Sequence, residues 1–231
     1  MKECIILAGG LGTRLQSVVK DVPKCMAEVA GEPFLYHLFN YANKEAFGHV
    51  ILSLGYKADV VLEWLENKTF PFQISYVKED EPLGTGGAIK LAFRQVFGES
   101  AYVINGDTFF DINTDVLSDF HSEKNASISL ALKPMTGFDR YGSVELNDKE
   151  RITRFNEKQY CDKGLINGGV YLINKDIFSS FGLPEKFSFE KDIMEAHLHD
   201  IEIYGRDFDN YFIDIGIPSD FEKANKDFSL K

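Results

Sequence analysis

The sequence predicts an α/β fold, a mainly parallel sheet flanked by helices, and two patterns carry that expectation. In the first two-thirds of the chain, short, largely apolar strand-like runs alternate with longer segments of helical periodicity. That is the signature of βαβ units, whose strands are buried on both faces. In the last third, apolar and polar residues alternate and turn residues separate the runs, so antiparallel additions to the sheet are expected there.

Cys4 to Ala8 (CIILA) is a continuous apolar run too short for a helix, and a glycine-rich turn follows it. Helical periodicity then runs from Phe34 to Glu45. His49 to Tyr56 is the next strand candidate and Ala58 to Asn67 the next helix. Gln73 to Glu79 predicts a strand, Gly86 to Phe97 a helix, and Ala101 to Asn105 (AYVIN) a strand. SISLALKP, GSVELND, RITRFNE and GGVYLIN are the alternating segments, and helices are expected around Phe189 to His199 and Ser219 to Phe228. The sum is a Rossmann-like core with a mixed, partly antiparallel C-terminal region. In open sheets of this kind ligands sit beyond the carboxyl ends of the strands, which directs attention to the residues after CIILA and AYVIN.

The chain has 231 residues, of which 44% are hydrophobic, enough for one substantial core. It shows no Pro/Gly/Ser-rich linker and no internal repeat, so a single domain over residues 1–231 is expected. A formal net charge of -11 argues against a general nucleic-acid binder, which needs a basic face. It does not exclude a small phosphorylated ligand, because a few converging cations reverse the field locally. Cys4, Cys25 and Cys161 are odd in number and lack metal spacing, which reads as reduced thiols in a cytoplasmic protein. No segment has the shape of a signal peptide or the length of a membrane span.

Three motifs carry chemistry. The first is Leu7-Ala8-Gly9-Gly10-Leu11-Gly12-Thr13-Arg14, where glycines let backbone N–H groups approach an anion. It is neither of two familiar nucleotide loops: GxGxxG fails because Leu15 stands at the third glycine, and GxxxxGK[ST] does not occur. Arg14 offers a planar fork and Lys24 a point charge for phosphate oxygens. The second is Gly84-Thr85-Gly86-Gly87, a glycine-rich helix start against which a nucleotide can lie. The third is Asn105-Gly106-Asp107-Thr108, a carboxylate at a strand's carboxyl end. Asp214, an acid within the apolar run FIDIG, is a second carboxylate that is costly to bury unless paired or metal-bound. His197 and His199 lie two apart and make a poor metal pair on a helix, while His37, His49 and His121 show no partners in the sequence. No catalytic histidine is expected.

LAGGLGTRL followed by Pro23-Lys24 resembles the signature of the sugar-phosphate nucleotidyltransferases, which make nucleotide sugars. The likeness spans nearly the whole chain, from CIILAGG to FIDIGIPSDF. Cys25 stands where that family usually has a second proline. The resemblance implies a nucleotide-diphospho-sugar transferase type of fold and a reaction that joins the nucleoside monophosphate of a triphosphate to a sugar 1-phosphate and releases pyrophosphate. It implies that Arg14 holds the nucleotide's phosphates and that Lys24 bridges the two reacting phosphates. Leu7, Ala8, Gly9, Gly10, Gly12 and Thr13, with Gly84, Thr85 and Gly86, would contact the nucleotide. Asp107 and Asp214 would bind Mg²⁺, with Asp107 also counted among the catalytic residues. Tyr141, Gly142, Glu157, Lys158 and Asn167 resemble the sugar side of the site. The GTGG string favours a purine donor, GTP, and GTRLQSVVKDVPK resembles the branch acting on D-glycero-D-manno-heptose 1-phosphate. Mannose-1-phosphate guanylyl transfer, or uridylyl or thymidylyl transfer to another sugar, are the neighbouring alternatives. A non-catalytic nucleotide-sugar sensor or regulatory subunit is the alternative of another class, which retention of Arg14, Lys24, Asp107 and Asp214 together disfavours. Whether copies of the chain assemble into a homo-oligomer is left open by the sequence.

Overall fold

The computed structural model describes residues 1–10 and 22–230, so the predicted ligands Gly12, Thr13 and Arg14 lie outside the described residues. The chain opens with β1 (Glu3–Leu7), followed by a 3-10 turn at Lys24–Met26 and the short pair β2 (Glu28–Val29) and β3 (Glu32–Pro33). The elements α1 (Phe34–Lys44), β4 (His49–Leu54), α2 (Ala58–Glu66), β5 (Gln73–Lys78), α3 (Gly84–Ala92) and β6 (Ser100–Asn105) complete the βαβ part. Next come β7 (Thr108–Phe110), α4 (Thr114–Lys124), β8 (Ile128–Phe138), β9 (Ser143–Leu146), β10 (Ile152–Phe155) and β11 (Cys161–Asn174). After them stand α5 (Ile177–Ser180), a π-helix at Phe189–Glu195, β12 (Ile203–Asp207), β13 (Phe212–Asp214) and α6 (Pro218–Phe228).

Nine of the described strands form one mixed sheet. β5, β4, β1 and β6 run parallel, and β11 joins β6 antiparallel. β8 pairs antiparallel with β11, and β12 pairs parallel with β8. The C-terminal region is therefore less antiparallel than its alternation suggests, because β8 and β12 run in the same sense as the βαβ strands. The hairpin β9–β10 attaches to the first half of β11.

Alternate residues of the central strands feed two cores, one on each face. Cys4, Ile6, Val50 and Leu52 point to the face covered by α1, α2, α4 and α6. Ile5, Ile51, Val103 and Ile173 point to the face covered by α3, α5 and the π-helix. On the first face Phe39 is fully buried edge-on to Phe70 and Phe72, with ring centroids 4.6 and 5.5 Å away. Such contacts add to area burial, and Trp64, packed 5.9 Å from Phe39, belongs to the same cluster as expected of a core residue.

Two helices owe their starts to identifiable residues. Asn113 caps α4, its side-chain oxygen accepting from the backbone N–H of Asp115 at 2.9 Å. Pro218 begins α6 at the first helical position, where its missing N–H costs nothing. The predicted helix from Gly86 instead begins at Gly84 and ends at Ala92, with a 3-10 turn after it, and the helix predicted to reach His199 is a π-helix ending at Glu195. No helix among the described residues is long and apolar enough to cross a membrane.

Candidate functional site

The carboxyl ends of β1, β4, β5 and β6 open into a cavity of about 570 Å³, within the usual range for small-molecule sites. Leu7, Ala8, Gly9 and Gly10 line it from β1, Gly84 and Thr85 from α3, and Asn105, Gly106 and Asp107 from β6. Lys24 and Cys25 enter from the 3-10 turn. β1 and β6 are parallel neighbours with Leu7 opposite Asn105, and the Gly106 N–H donates to the Leu7 carbonyl at 3.0 Å. The two strand-end motifs found in the sequence are thus joined directly through backbone.

Asp214 reaches the same place by a different route. β13 pairs antiparallel with β7, setting Asp214 opposite Thr108, and the Ile215 N–H donates to the Asp107 carbonyl at 3.0 Å. The Lys24 ammonium stands between the two acids, 2.5 Å from Asp107 Oδ2 and 3.6 Å from Asp214 Oδ1. Its side chain is 10% exposed, against 38% for Asp107 and 20% for Asp214, so a largely buried cation stands between two partly exposed acids. Burial, and then the charge of Asp107, push the Asp214 carboxyl above the ordinary aspartate range, opposed by Lys24 and by the Gly216 N–H. Among the described residues no third acid, histidine or cysteine joins the pair to complete a metal cage.

Cys25, the residue in place of a proline, is buried with its thiol 3.8 Å from the Ala8 carbonyl. Burial pushes that thiol up to about 12, so it serves as packing under the loop rather than as a nucleophile.

The remaining motif residues divide. Gly84 adopts φ +73°, a conformation that side chains disfavour. The Gly86 and Gly87 N–H groups donate to the Phe187 carbonyl, and the ring of Phe187 lies against Gly86. Gly84 and Thr85 line the cavity, but Gly86 does not: it makes room for the segment before the π-helix. Asn167 sits at a register shift in the pairing of β11 with β8, where its side chain accepts from the Gly169 N–H and donates to the Tyr171 hydroxyl at 2.9 Å. Irregularities of this kind re-aim side chains. Tyr141 lies close enough to Asp214 for that charge to help push its phenol up to about 12, although burial is the larger cause. Gly142 packs against the Asn156 carbonyl at one end of the β9–β10 hairpin. Glu157 and Lys158 follow at the same end, but both are exposed and outside the cavity lining.

Three polar residues of the site escape the sequence motifs. Glu79 follows β5 and lines the cavity, half-buried, with Oε2 accepting from the Leu83 N–H at 2.9 Å. Burial raises its carboxyl above the ordinary range. It obeys the same strand-end rule that singled out Asp107. Arg140 donates to the Tyr141 hydroxyl and to Asp220 Oδ2 at 2.6 Å, tying the Tyr141 turn to α6. Glu190, on the π-helix, lines the cavity. The histidines, in contrast, turn out to be partnered away from the site. His49 is bonded to Glu3 and Ser75, His121 to Ser129 and Asn174, and His37 to the Val29 carbonyl.

Glycine backbone beside a lysine set between two acids suits a ligand that is both nucleotide and polyanion, and the sequence places the chain accordingly. Residues 3–230 match the nucleotidyl transferase family, and the chain belongs to it. It is 48% identical over 225 residues to D-glycero-alpha-D-manno-heptose 1-phosphate guanylyltransferase of Aneurinibacillus thermoaerophilus, covering 97% of each chain. It is also 48% identical to the protein of the same description from Campylobacter jejuni subsp. jejuni serotype O:2, over 95% of this chain and 96% of that one. The crystal structure of HddC from Yersinia pseudotuberculosis complexed with GMP-PN superposes with a TM-score of 0.89 at 36% identity, covering 99% of this chain and all of that one.

The raised carboxyl of Asp214 carries a stability consequence. The folded state binds this proton more tightly than the unfolded chain, so the carboxylate costs stability once the pH exceeds its unfolded value. Asp214→Asn is expected to raise the unfolding temperature at pH 7, with the gain shrinking as the pH falls below the ordinary aspartate range. A lower midpoint at pH 7 in calorimetric scans would contradict this.

Proposed function

We propose that this nucleotidyltransferase moves GMP from GTP to D-glycero-α-D-manno-heptose 1-phosphate, releasing pyrophosphate. The observation that carries the proposal is the pairing of Lys24 with Asp107 and Asp214 at the end of a cavity floored by Gly9 and Gly10. The relatives identical at 48% over nearly the whole of both chains, described as heptose 1-phosphate guanylyltransferases, favour this sugar and this nucleotide over the alternatives.

The attacking group is a phosphate oxygen, ionised at neutral pH, so the reaction needs no general base, and none is assigned. Two polyanions must instead be held in line, which makes positioning and charge stabilisation the work of the site. Lys24 is placed to contact the reacting phosphates, and Arg14 is assigned to the triphosphate. Asp107 and Asp214 would hold Mg²⁺. They fit it as two oxygen donors that already share a cation, with further positions left to phosphate oxygens, the arrangement magnesium favours. When bound, the ion supplies charge neutralisation of the triphosphate. The backbone of Leu7 to Gly10, with Gly84 and Thr85, borders the nucleoside. Tyr141, Gly142, Glu157, Lys158 and Asn167 are assigned to the sugar side. A nucleoside triphosphate substrate and the free thiols of Cys4 and Cys25 fit a cytoplasmic enzyme.

Glu79 supports guanine in particular. Guanine presents a ring N–H and an amino group side by side, and a carboxylate offers two acceptors to match them. Uracil and thymine instead present carbonyl oxygens flanking their one N–H, which a carboxylate repels. Glu79 lies at the cavity wall with Oε1 against Gly9 and Oε2 held by the Leu83 N–H, which sets the carboxylate beside the glycine backbone assigned to the nucleoside.

Pyrophosphate release in the presence of Mg²⁺, crossing GTP, UTP, dTTP, CTP and ATP with a panel of sugar 1-phosphates, is expected to peak at GTP with the heptose. Maximal turnover with another pair, or silence throughout, would refute the assignment. Glu79→Gln should lower kcat/KM for GTP by about 10- to 100-fold, the worth of a hydrogen bond to a charged group, and narrow the preference for GTP over UTP. Unchanged discrimination would remove Glu79 from base recognition.

A further inference from the structure

Glu190 is a cavity carboxylate for which phosphoryl chemistry has no use. It lies one residue into the π-helix, an irregular geometry frequent at functional sites. Its Oε2 accepts from Thr85 Oγ1 at 2.6 Å and from Ser188 Oγ at 2.9 Å. The Thr85 hydroxyl is itself fixed, accepting from the Phe189 N–H at 2.9 Å. One carboxylate oxygen is thus immobilised by two hydroxyls, and Oε1 makes no hydrogen bond among the described residues. Thr85 ties Glu190 to α3, and Phe189, packed edge-on 5.6 Å from the buried ring of Tyr171, ties it to β11. Tyr171 carries the hydrogen bond from Asn167, and the Glu190 charge contributes to raising its phenol after burial.

A pre-positioned acceptor of this kind selects hydrogen-bond donors. Phosphates are excluded, since they carry like charge and the acids suited to hold a counter-ion are Asp107 and Asp214. The donors of the base are assigned to Glu79, which lines the cavity at the end of β5. Hydroxyl groups remain, and Glu190 is held, through Phe189, against Tyr171, whose hydroxyl accepts from Asn167, a residue assigned to the sugar. We infer that Glu190 accepts hydrogen bonds from hydroxyls of the sugar 1-phosphate and helps determine which sugars the site takes. This rests on the cavity serving a nucleoside triphosphate and a sugar 1-phosphate.

The test compares wild type with Glu190→Gln, which keeps the size and one acceptor but removes the charge. The KM for heptose 1-phosphate should rise by about 10- to 100-fold. The KM for GTP, and GTP binding by titration calorimetry, should stay within about twofold. The ratio of kcat/KM for heptose 1-phosphate over mannose 1-phosphate should shift. Ser188→Ala, which keeps the carboxylate but removes one of the hydroxyls that hold it, should raise the same KM by less, and it decides the matter if Glu190→Gln does not fold. An unaltered sugar KM in an active enzyme would overturn the inference while leaving the proposed reaction standing. A loss confined to GTP would also overturn it, by placing Glu190 on the ribose. Inactivity of the wild type with every substrate pair would instead fault the proposed reaction.

Discussion

Two carboxylates and one ammonium, gathered at the carboxyl end of the sheet, set the terms for the rest of this molecule. Asp107 and Asp214 repel one another, and burial already disfavours the charged form of Asp214. Lys24 offsets part of that cost, at 2.5 Å from one acid and 3.6 Å from the other. Such a cluster is a poor source of stability. It persists because three separate parts of the chain hold it: the turn after Pro23, the end of β6, and β13 paired to β7. The arrangement is suited to ligands that bring their own charge, and the proposed chemistry brings a triphosphate, a sugar phosphate and a divalent ion.

The fold supplies the geometry in layers. Parallel β1 and β6 put the glycine turn beside Asp107, and the Gly106 N–H bond to Leu7 locks their ends together. The long strand β11 joins β6 to β8 and to the β9–β10 hairpin. Its second half pairs with β6, and its irregular middle carries Asn167 and, beyond it, Tyr171. The face opposite α1 is closed by α3 and the π-helix, joined through Phe187, Thr85 and Glu190. The last helix, α6, is tied back by Arg140 to Asp220, linking the Tyr141 turn to the segment just after Asp214. The wall polarity is thus split: acceptors at Glu79 and Glu190, an ammonium among acids between the strand ends.

Much of this was legible in the sequence, for reasons that differ by element. β1, β4 and β6 each carry a continuous apolar run, CIIL, VIL and AYVI, that is almost wholly buried, so their pattern is unambiguous. The strand-end motifs with Lys24, Asp107 and Asp214 were legible because a carboxylate or lysine beside glycine in an apolar setting is chemically conspicuous. α4 was missed because its face is only weakly apolar, and it is held by the Asn113 cap and tertiary packing of Leu117 and Phe120. β12, with a glycine in its centre and Arg206-Asp207 at its end, gave no periodic signal, yet it pairs parallel to β8 through five residues. The histidines seemed partnerless because Glu3 and His49, or His121 and Asn174, meet only across the sheet. The glycines of GTGG were legible as special, but not why: Gly86 yields to Phe187, a residue a hundred positions away. Glu79 and Glu190 stayed hidden among many acids, since only the assembled cavity distinguishes them from solvated ones.

The central claim is that Asp107 and Asp214 together form the seat of a divalent cation that accompanies the nucleotide. Mn²⁺ titrated into the protein with GTP and followed by electron paramagnetic resonance tests it without requiring turnover. The wild type is expected to hold one protein-dependent ion, and Asp107→Asn and Asp214→Asn, each folded by circular dichroism, are each expected to lose it. Undiminished ion binding in both variants would contradict the account and send the search for the cation's ligands elsewhere in the chain.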